Sequence, residues 1–427
     1  MTIVVVGGGG REHAIIKKLK ENATVDTVYC LPGNGGIAFD AICVPEIKAT
    51  DLEGVTAFAV EHQADLVVVA PDDPLAAGMV DALEAAGIRA FGPNAAAARI
   101  EASKVFSKNL MKKYRIPTAR YEVFEDAAAA IAYIEEQNEF PTVIKADGLA
   151  LGKGVLIPES LEEAKAAVRE IMEDKKFGAS GNRVVVEQFL RGPEVSVLAF
   201  TDGKTVKPMV SSMDHKRALD GDKGLNTGGM GTVAPNPYYT PAVAERCMEE
   251  IFLPTIRAMQ AEGCPFKGCL YFGLMLTEKG PMVIEYNCRF GDPETQVVLP
   301  LMKSDLLAAM NATIDGTLAE TEVTFSDGAA TCVVLASGGY PEAYEKGIPM
   351  FGFNADGNVD GATVYHAGDA RKDGQLVTAG GRVLGVTATA DTLAEAVKAA
   401  YAATEQISFE GLHKRTDIGQ RALQATV

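Results

Sequence analysis

Basic residues are in deficit in this chain, and several familiar signatures are missing. Lys and Arg number 40 against 57 Asp and Glu, a net charge of −17 over 427 residues. A nucleic-acid partner calls for a basic face, so the charge argues against that class. A small anionic substrate is not, because a few local cations can hold one. The seven cysteines form no Cys-x-x-Cys, and none stands at metal-site spacing from a histidine. That is the pattern of free thiols buried in a reducing compartment. No apolar run approaches membrane length. The opening Met-Thr-Ile-Val-Val-Val carries no basic leader and reads as a first strand. These absences predict a cytoplasmic protein with no membrane partner. Internal repeats and low-complexity tracts are also missing. What remains is an ordinary globular composition, 47% hydrophobic and 23% charged, long enough for roughly two to four domains.

The first hundred residues alternate strand and helix. Strands are expected at 2–6, 25–31, 65–70 and 88–91, with helices from Arg11, over 51–62 and over 73–86. Such alternation predicts a Rossmann-like parallel sheet covered on both faces. The turn Gly7-Gly-Gly-Gly10 invites a dinucleotide reading, but the fingerprint G-x-G-x-x-G fails. Its third position falls on Glu12 or His13, and strand two ends in Cys30 and Leu31 with no acid for a ribose. A helix N-terminus with free amides remains, suited to a single phosphate.

A basic helix is expected from Ser103 to about Tyr114. It carries Lys104, which alone would read as a solvated lysine. Pro141 to Val155 then forms a hairpin whose glycines 148, 152 and 154 leave backbone amides open to phosphate, with Lys145 and Lys153 adding charge. This is no Walker loop, since no Gly-Lys-Ser/Thr precedes a helix. A helix follows over 160–172 and an apolar strand over 183–189. Its exit can offer backbone groups to an adenine edge, and Glu194 stands ready for ribose hydroxyls. Strands 195–200 and 205–211 form a hairpin. The polar stretch 214–231 is expected to be a long loop serving an anion or substrate. Helix 241–262, strand 269–276, strand 281–287 and helix 295–314 complete the central part. From about residue 325 a small α+β domain is expected, with few catalytic candidates.

The stretch Pro281 to Gln296 organises the rest. Glu285, Asn287 and Arg289 recur at every second position, which in a strand places them on one face. Carboxylate and amide oxygens suit Mg²⁺, and a guanidinium fork suits phosphate oxygens. The alternative is a surface strand with a Glu–Arg pair. Cys288 falls on the opposite face and is expected to be inert.

Glycine hairpin with lysines, adenine-type strand exit and Glu-x-Asn-x-Arg face, in that order, resemble the ATP-grasp superfamily. Within it, the chain resembles the phosphoribosylamine–glycine ligases. The likeness rests on Gly-Gly-Arg-Glu-His-Ala (9–14), Lys-Ala-Asp-Gly-Leu-Ala (145–150), Asp-His-Lys-Arg (214–217), Asn-Thr-Gly-Gly-Met-Gly (226–231) and Arg-Phe-Gly-Asp-Pro-Glu-Thr-Gln (289–296). It extends to Gly-Gly-Arg-Val-Leu (380–384) and Arg-Thr-Asp-Ile-Gly (415–419). Gly8, Asp72, Pro193 and Leu225 depart from the usual family residues.

The resemblance implies an α/β and α+β multidomain protein. It would have an N-terminal sheet domain over 1–101, an ATP-grasp core over 102–324 with a lid over about 120–190, and a C-terminal domain over 325–427. It implies ATP and Mg²⁺ (or Mn²⁺) as cofactors, the metal on Glu285 and Asn287. Lys104 and Lys145 would touch the ATP phosphates, with Gly152, Lys153 and Gly154 folding over them. Glu187, Gln188 and Phe189 would edge the adenine, and Glu194 the ribose. Arg289, Lys145 and Asp292 would be catalytic. Asp214, Lys216, Arg217, Asn226, Thr227, Gly228, Gly229 and Met230 would line the site for glycine and 5-phosphoribosylamine, with Gly9 and Gly10 supplying amides. The implied enzyme is a cytoplasmic monomer of purine biosynthesis. The rivals are another ATP-grasp ligase or carboxylase, a nicotinamide oxidoreductase, and a nucleotide sensor without turnover.

Overall fold

The computed structural model describes residues 1–149 and 154–425. Five parallel strands open the chain, in the spatial order Ile42–Cys43, Thr27–Pro32, Thr2–Gly7, Leu66–Val69, Ala90–Phe91. The first strand is continuously apolar because both its faces are covered. Val4 and Val6 enter one core cluster, while Ile3 and Val5 enter another. The helix expected over 73–86 is two helices, Asp72–Ala77 and Met79–Ala85. Gly78 separates them at φ 95°, a left-handed cap that glycine adopts without a Cβ clash.

A four-stranded antiparallel sheet follows, ordered Tyr121–Phe124, Val184–Gln188, Thr142–Ala146, Val155–Leu156. Helices Ala127–Gln137 and Leu161–Met172 cover one of its faces through Ile134, Val168 and Ile171. The opposite face presents Lys145 and Glu187. Gly152 and Lys153 of the expected phosphate hairpin lie outside the described residues.

The larger central sheet is antiparallel, ordered Val206–Pro208, Glu194–Asp202, Lys267–Thr277, Gly280–Asn287. It sits between two core clusters, with Phe272 and Leu274 in one and Phe200 and Tyr271 in the other. The helix expected over 295–314 is interrupted. Thr295–Val298 passes into a 3-10 turn Leu299–Leu301 at Pro300, and a new helix, Leu306–Asp315, starts where Asp305 caps the amides of Leu307 and Ala308.

The stretch read as a loop over 214–231 is substantially ordered. Arg217–Leu219 and Lys223–Asn226 form a hairpin, turning at Gly221 (φ 69°) and Asp222 (φ 55°). The flanking strands Met213–Asp214 and Gly231–Ala234 leave the central part altogether. They complete a five-stranded sheet with the C-terminal strands Ala329–Ala336, Arg382–Ala390 and Thr363–His366. The central and C-terminal parts therefore share a sheet. The N-terminal part is pinned to the same region by His13, whose Nε2 pairs with Asp40 (2.8 Å) and whose Nδ1 accepts from His366 N (2.9 Å).

Candidate active site

The strand Gly280–Asn287 carries the expected acid and amide, with one irregularity. Gly273 faces Glu285 but Leu274 faces Val283, so Ile284 is a bulge residue. Its freed carbonyl accepts a hydrogen bond from Lys145 Nζ (3.0 Å), tying this strand to the lid sheet. Arg289 falls beyond the strand end, which stops at Asn287, so simple alternation does not place it. Side-chain bonds do. Arg289 Nη2 donates to Asn287 Oδ1 (3.3 Å) and to Glu101 Oε1 (3.0 Å). Glu101 Oε2 also accepts from Cys288 N (2.7 Å), so this one buried acid fixes both the strand exit and the guanidinium. Arg289 Nε is buried with no partner among the described residues, an open donor on the side chain that bonds Asn287. The alternate face holds Tyr286, bonded to Thr255 Oγ1 (2.8 Å), and the buried Cys288.

Cations converge on Glu285. Burial works to raise its pKa, but Lys216, Lys145, Lys104 and Arg289 outweigh it and hold the carboxyl below its usual range. Lys216 Nζ lies 3.4 Å from Glu194 and 3.9 Å from Glu285, and Glu194 chiefly raises its pKa. Lys104 opens the helix Lys104–Tyr114, capped by Ser103, and donates to Gly148 O. Burial lowers its pKa. Lys145 also pairs with Glu187 (3.0 Å), which Lys108 holds from its other oxygen (3.0 Å). The Glu187 carboxylate is thus engaged by two lysines and is not free to edge a base. Past it, Gln188 N is used by Arg120 O (2.9 Å), and Phe189 lies beneath the Arg191 guanidinium at 5.2 Å.

A second group of residues gathers at the other end, drawn from all three parts of the chain. Asp214 Oδ1 accepts from His215 N (2.7 Å). Burial pushes its carboxyl well up, and Glu294 adds to the effect. Glu294 is itself buried and raised, and accepts from Tyr271 OH (3.1 Å). Arg382, from the C-terminal part, donates to Gly228 O and to Asp292 O (both 2.9 Å). Tyr340 OH accepts from Gly228 N (3.1 Å). Burial works to raise the Asp292 pKa, but Arg382 and Arg11 hold it down. Gly229 must be glycine, because at φ 124° an added Cβ would lie 2.5 Å from Pro293 Cδ and 2.7 Å from Asp214 Oδ1. Gly9 and Gly10 close the group from the N-terminal part, since added Cβ atoms would meet Asp292 at 3.4 Å and Gln296 at 2.6 Å.

Several expected residues have other duties. Gly9 N donates to Glu12 Oε2 (2.7 Å), the return bond of a capping box, so that amide is already used. Met230 is fully buried in the C-terminal core. Its N donates to His215 O (2.8 Å) and its O accepts from Val334 N (3.1 Å), leaving nothing for a ligand. Arg217 donates to Gly224 O (2.8 Å) inside its own hairpin, where Asn226 is its register partner. Thr227 serves the loop itself, its N and Oγ1 both bonding Lys216 O (2.8 Å). Glu101, Glu294, Tyr340 and Arg382 were not singled out by sequence reasoning. Glu294 and Arg382 do stand in the quoted strings 289–296 and 380–384, but no local periodicity marks them.

A parallel sheet, two four-stranded antiparallel sheets, and an acid–amide edge strand of the larger one bonded to the smaller make this an ATP-grasp protein. Models of the phosphoribosylglycinamide synthetase family match along the chain. The N domain matches residues 1–101, the ATP-grasp (A) domain 102–295 and the C domain 330–421. The chain belongs to that family. A relative named phosphoribosylamine–glycine ligase from Rhizobium meliloti is 50% identical over 424 residues, covering 99% of each chain. The crystal structure of the ligase of the same name from Thermotoga maritima superposes with a TM-score of 0.85 at 35% identity, covering 98% of this chain and 100% of that one. The biotin carboxylase domain of the Hydrogenobacter thermophilus 2-oxoglutarate carboxylase, solved with MgADP, ADP and bicarbonate, shares the fold. Its TM-score is 0.74 at 17% identity, covering 97% and 91%. No helix among the described residues is long and apolar enough to cross a membrane.

Proposed function

We propose that this chain joins glycine to 5-phosphoribosylamine in an ATP-dependent reaction of purine biosynthesis, giving glycinamide ribonucleotide, ADP and phosphate. One observation carries the reading: Lys104, Lys145, Lys216 and Arg289 converge on Glu285 and hold its carboxyl below the usual range. Four cations around one acid suit a triphosphate brought in with a divalent metal. The relatives named as this ligase supply the substrates.

Glu285 and Asn287 fit a hard divalent ion. They offer an ionised carboxylate and an amide oxygen, a two-ligand set of the kind Mg²⁺ completes with phosphate oxygens and water. No group of three or more His, Cys, Asp or Glu among the described residues provides an all-protein cage. Mg²⁺, or Mn²⁺ in its place, would supply charge neutralisation at the phosphates.

The chain's own groups position and neutralise. A carboxylate resists amines because oxide is a poor leaving group. Phosphoryl transfer from ATP to the glycine carboxylate gives glycyl phosphate. The phosphoribosylamine nitrogen then attacks its carbonyl, and phosphate leaves. Lys104 and Lys145 hold the phosphate tail, and Arg289, with its unpartnered Nε, steadies the transferring group. Gly152, Lys153 and Gly154 would exclude water from the acyl phosphate. The backbone of Glu187, with Gln188, Phe189 and Glu194, borders the nucleoside. Asp214, Lys216, Gly228, Gly229 and Asp292 line the amine side. On this reading the domains divide near residues 101 and 324, and the enzyme works as a cytoplasmic monomer.

The test is ADP release with ATP and Mg²⁺, omitting glycine and phosphoribosylamine in turn. Release that needs both is expected. Full release without either, or with another acid or amine only, overturns the assignment.

A further inference from the structure

The string Arg415-Thr-Asp-Ile-Gly419 takes no part in the reaction as described. Yet Arg415 is among the largest fully buried side chains of the protein, 1% exposed. A buried guanidinium is costly unless its donors are met. Here they are met by a fork onto Asp417 (2.7 and 2.8 Å), by Asp222 (3.0 Å) and by the carbonyl of Arg217 (3.1 Å). Asp222 and Arg217 belong to the hairpin that follows Lys216. Further bonds run the same way. Thr416 N donates to Asp220 Oδ1 (2.8 Å), and Gly221 N donates to Asp417 Oδ2 (2.8 Å).

The same segment also reaches the residue before Lys216. Gly419 N donates to His215 Nε2 (3.2 Å), while His215 Nδ1 faces Gly231 O (3.1 Å). Both chain neighbours of Lys216 are therefore fastened to residues 415–419, and its own carbonyl is fastened by Thr227. The Lys216 side chain is left to span Glu194 and Glu285. A lysine has a long, rotamer-rich stem, and holding its ammonium between two acids requires a fixed backbone.

We infer that Arg415 is a positioning residue: through Arg217 and the hairpin it aims Lys216 at the space between Glu194 and Glu285. The C-terminal segment thereby sets the geometry of a site in the central part. The inference rests on the proposed role of Lys216 and adds the device that holds it.

The experiment uses the full chain and three variants, Arg415→Lys, Lys216→Gln and the double. Lysine keeps the charge at 415 but cannot reproduce the fork. The first readout needs no turnover: acylation of Lys216 by an N-hydroxysuccinimide ester, followed by peptide mass. Held against two carboxylates, the Lys216 amine is shielded from the ester. In Arg415→Lys, with its backbone loosened, the labelling is expected to rise about fivefold or more. The second readout is kinetic. kcat/KM for glycine is expected to fall about tenfold, and ATP-analogue affinity by a smaller factor, since Lys104, Lys145 and Arg289 stay in place. The double variant should lose no more than Lys216→Gln alone, because both changes remove one arrangement.

Labelling at the parent rate, losses that multiply in the double, or nucleotide affinity falling in step with kcat/KM would each overturn the inference. If Arg415→Lys does not fold, Asp417→Asn loosens the same fork and is read in the same way. A parent that releases no ADP with glycine and phosphoribosylamine would sink the proposed reaction. The labelling comparison would still decide the role of Arg415.

Discussion

The two ends of the site are built on different plans. The proposed phosphate end is anchored on the end of the strand Gly280–Asn287 and on Arg289 just past it, and the surrounding cations hold the Glu285 carboxyl below its usual range. The substrate end has no such strand. Glu294 is buried and Asp214 half-buried, both carboxyls are pushed upward by desolvation, and Arg382 crosses from the C-terminal part to hold Gly228 and Asp292. On the proposed function, the phosphate end would attract a polyanion by charge. The substrate end fixes a shape, with glycines packed against Asp292, Pro293 and Gln296. The first plan suits a tail common to many enzymes, and the second suits a pair of substrates peculiar to one.

Removing Glu285 is the harshest way to probe that contrast. In Glu285→Ala the cations lose the acid they surround, and a metal held as proposed would lose a ligand. kcat is expected to drop on the order of 10²–10³-fold for every amine acceptor alike, because the loss falls on the phosphoryl step. Turnover equal to the parent, followed by ADP release, would remove the metal assignment.

Arg382→Ala probes the other plan and should cost less. Gly228 and Asp292 would each lose a charged donor to a backbone oxygen, and the junction would loosen without leaving the fold. KM for glycine or phosphoribosylamine is expected to rise about tenfold while KM for ATP stays within about twofold. Equal damage to both would merge the two ends into one unit and erase the distinction.

The contrast also explains what could be read from the sequence. Glu285, Asn287 and the lysines at 104 and 145 could be proposed from the sequence as one set because they lie within a few positions of a strand or glycine turn, and the structure brings the three charged ones together. The parallel sheet was legible from alternation alone. Arg382 and Glu294 were not, since their meaning comes from partners that no local pattern marks. The misread elements have local causes that composition hid. Asp220-Gly221-Asp222 is a turn inside what looked like uniform polar loop. Met230, the one large apolar residue near its end, was a core anchor rather than a ligand contact. Gly78 and Pro300 each interrupted a helix that periodicity alone would have carried through.

The smallest effect is expected one residue from the metal face. Cys288 sits between Asn287 and Arg289 in sequence, yet its side chain is 1% exposed and joins the core cluster with Tyr286 and Val283. Burial pushes its thiol pKa well up, so it is no nucleophile at neutral pH. Its backbone amide, which bonds Glu101, is retained in any substitution. Cys288→Ala should therefore keep kcat and both substrate KM values within about twofold, while costing about 1 kcal/mol of stability for the lost core contacts. A large fall in kcat with little change in melting temperature would mean that this sulfur reaches the reacting groups. In that case the strand would not separate a chemical face from a packing face, and the plan of the phosphate end would need redrawing.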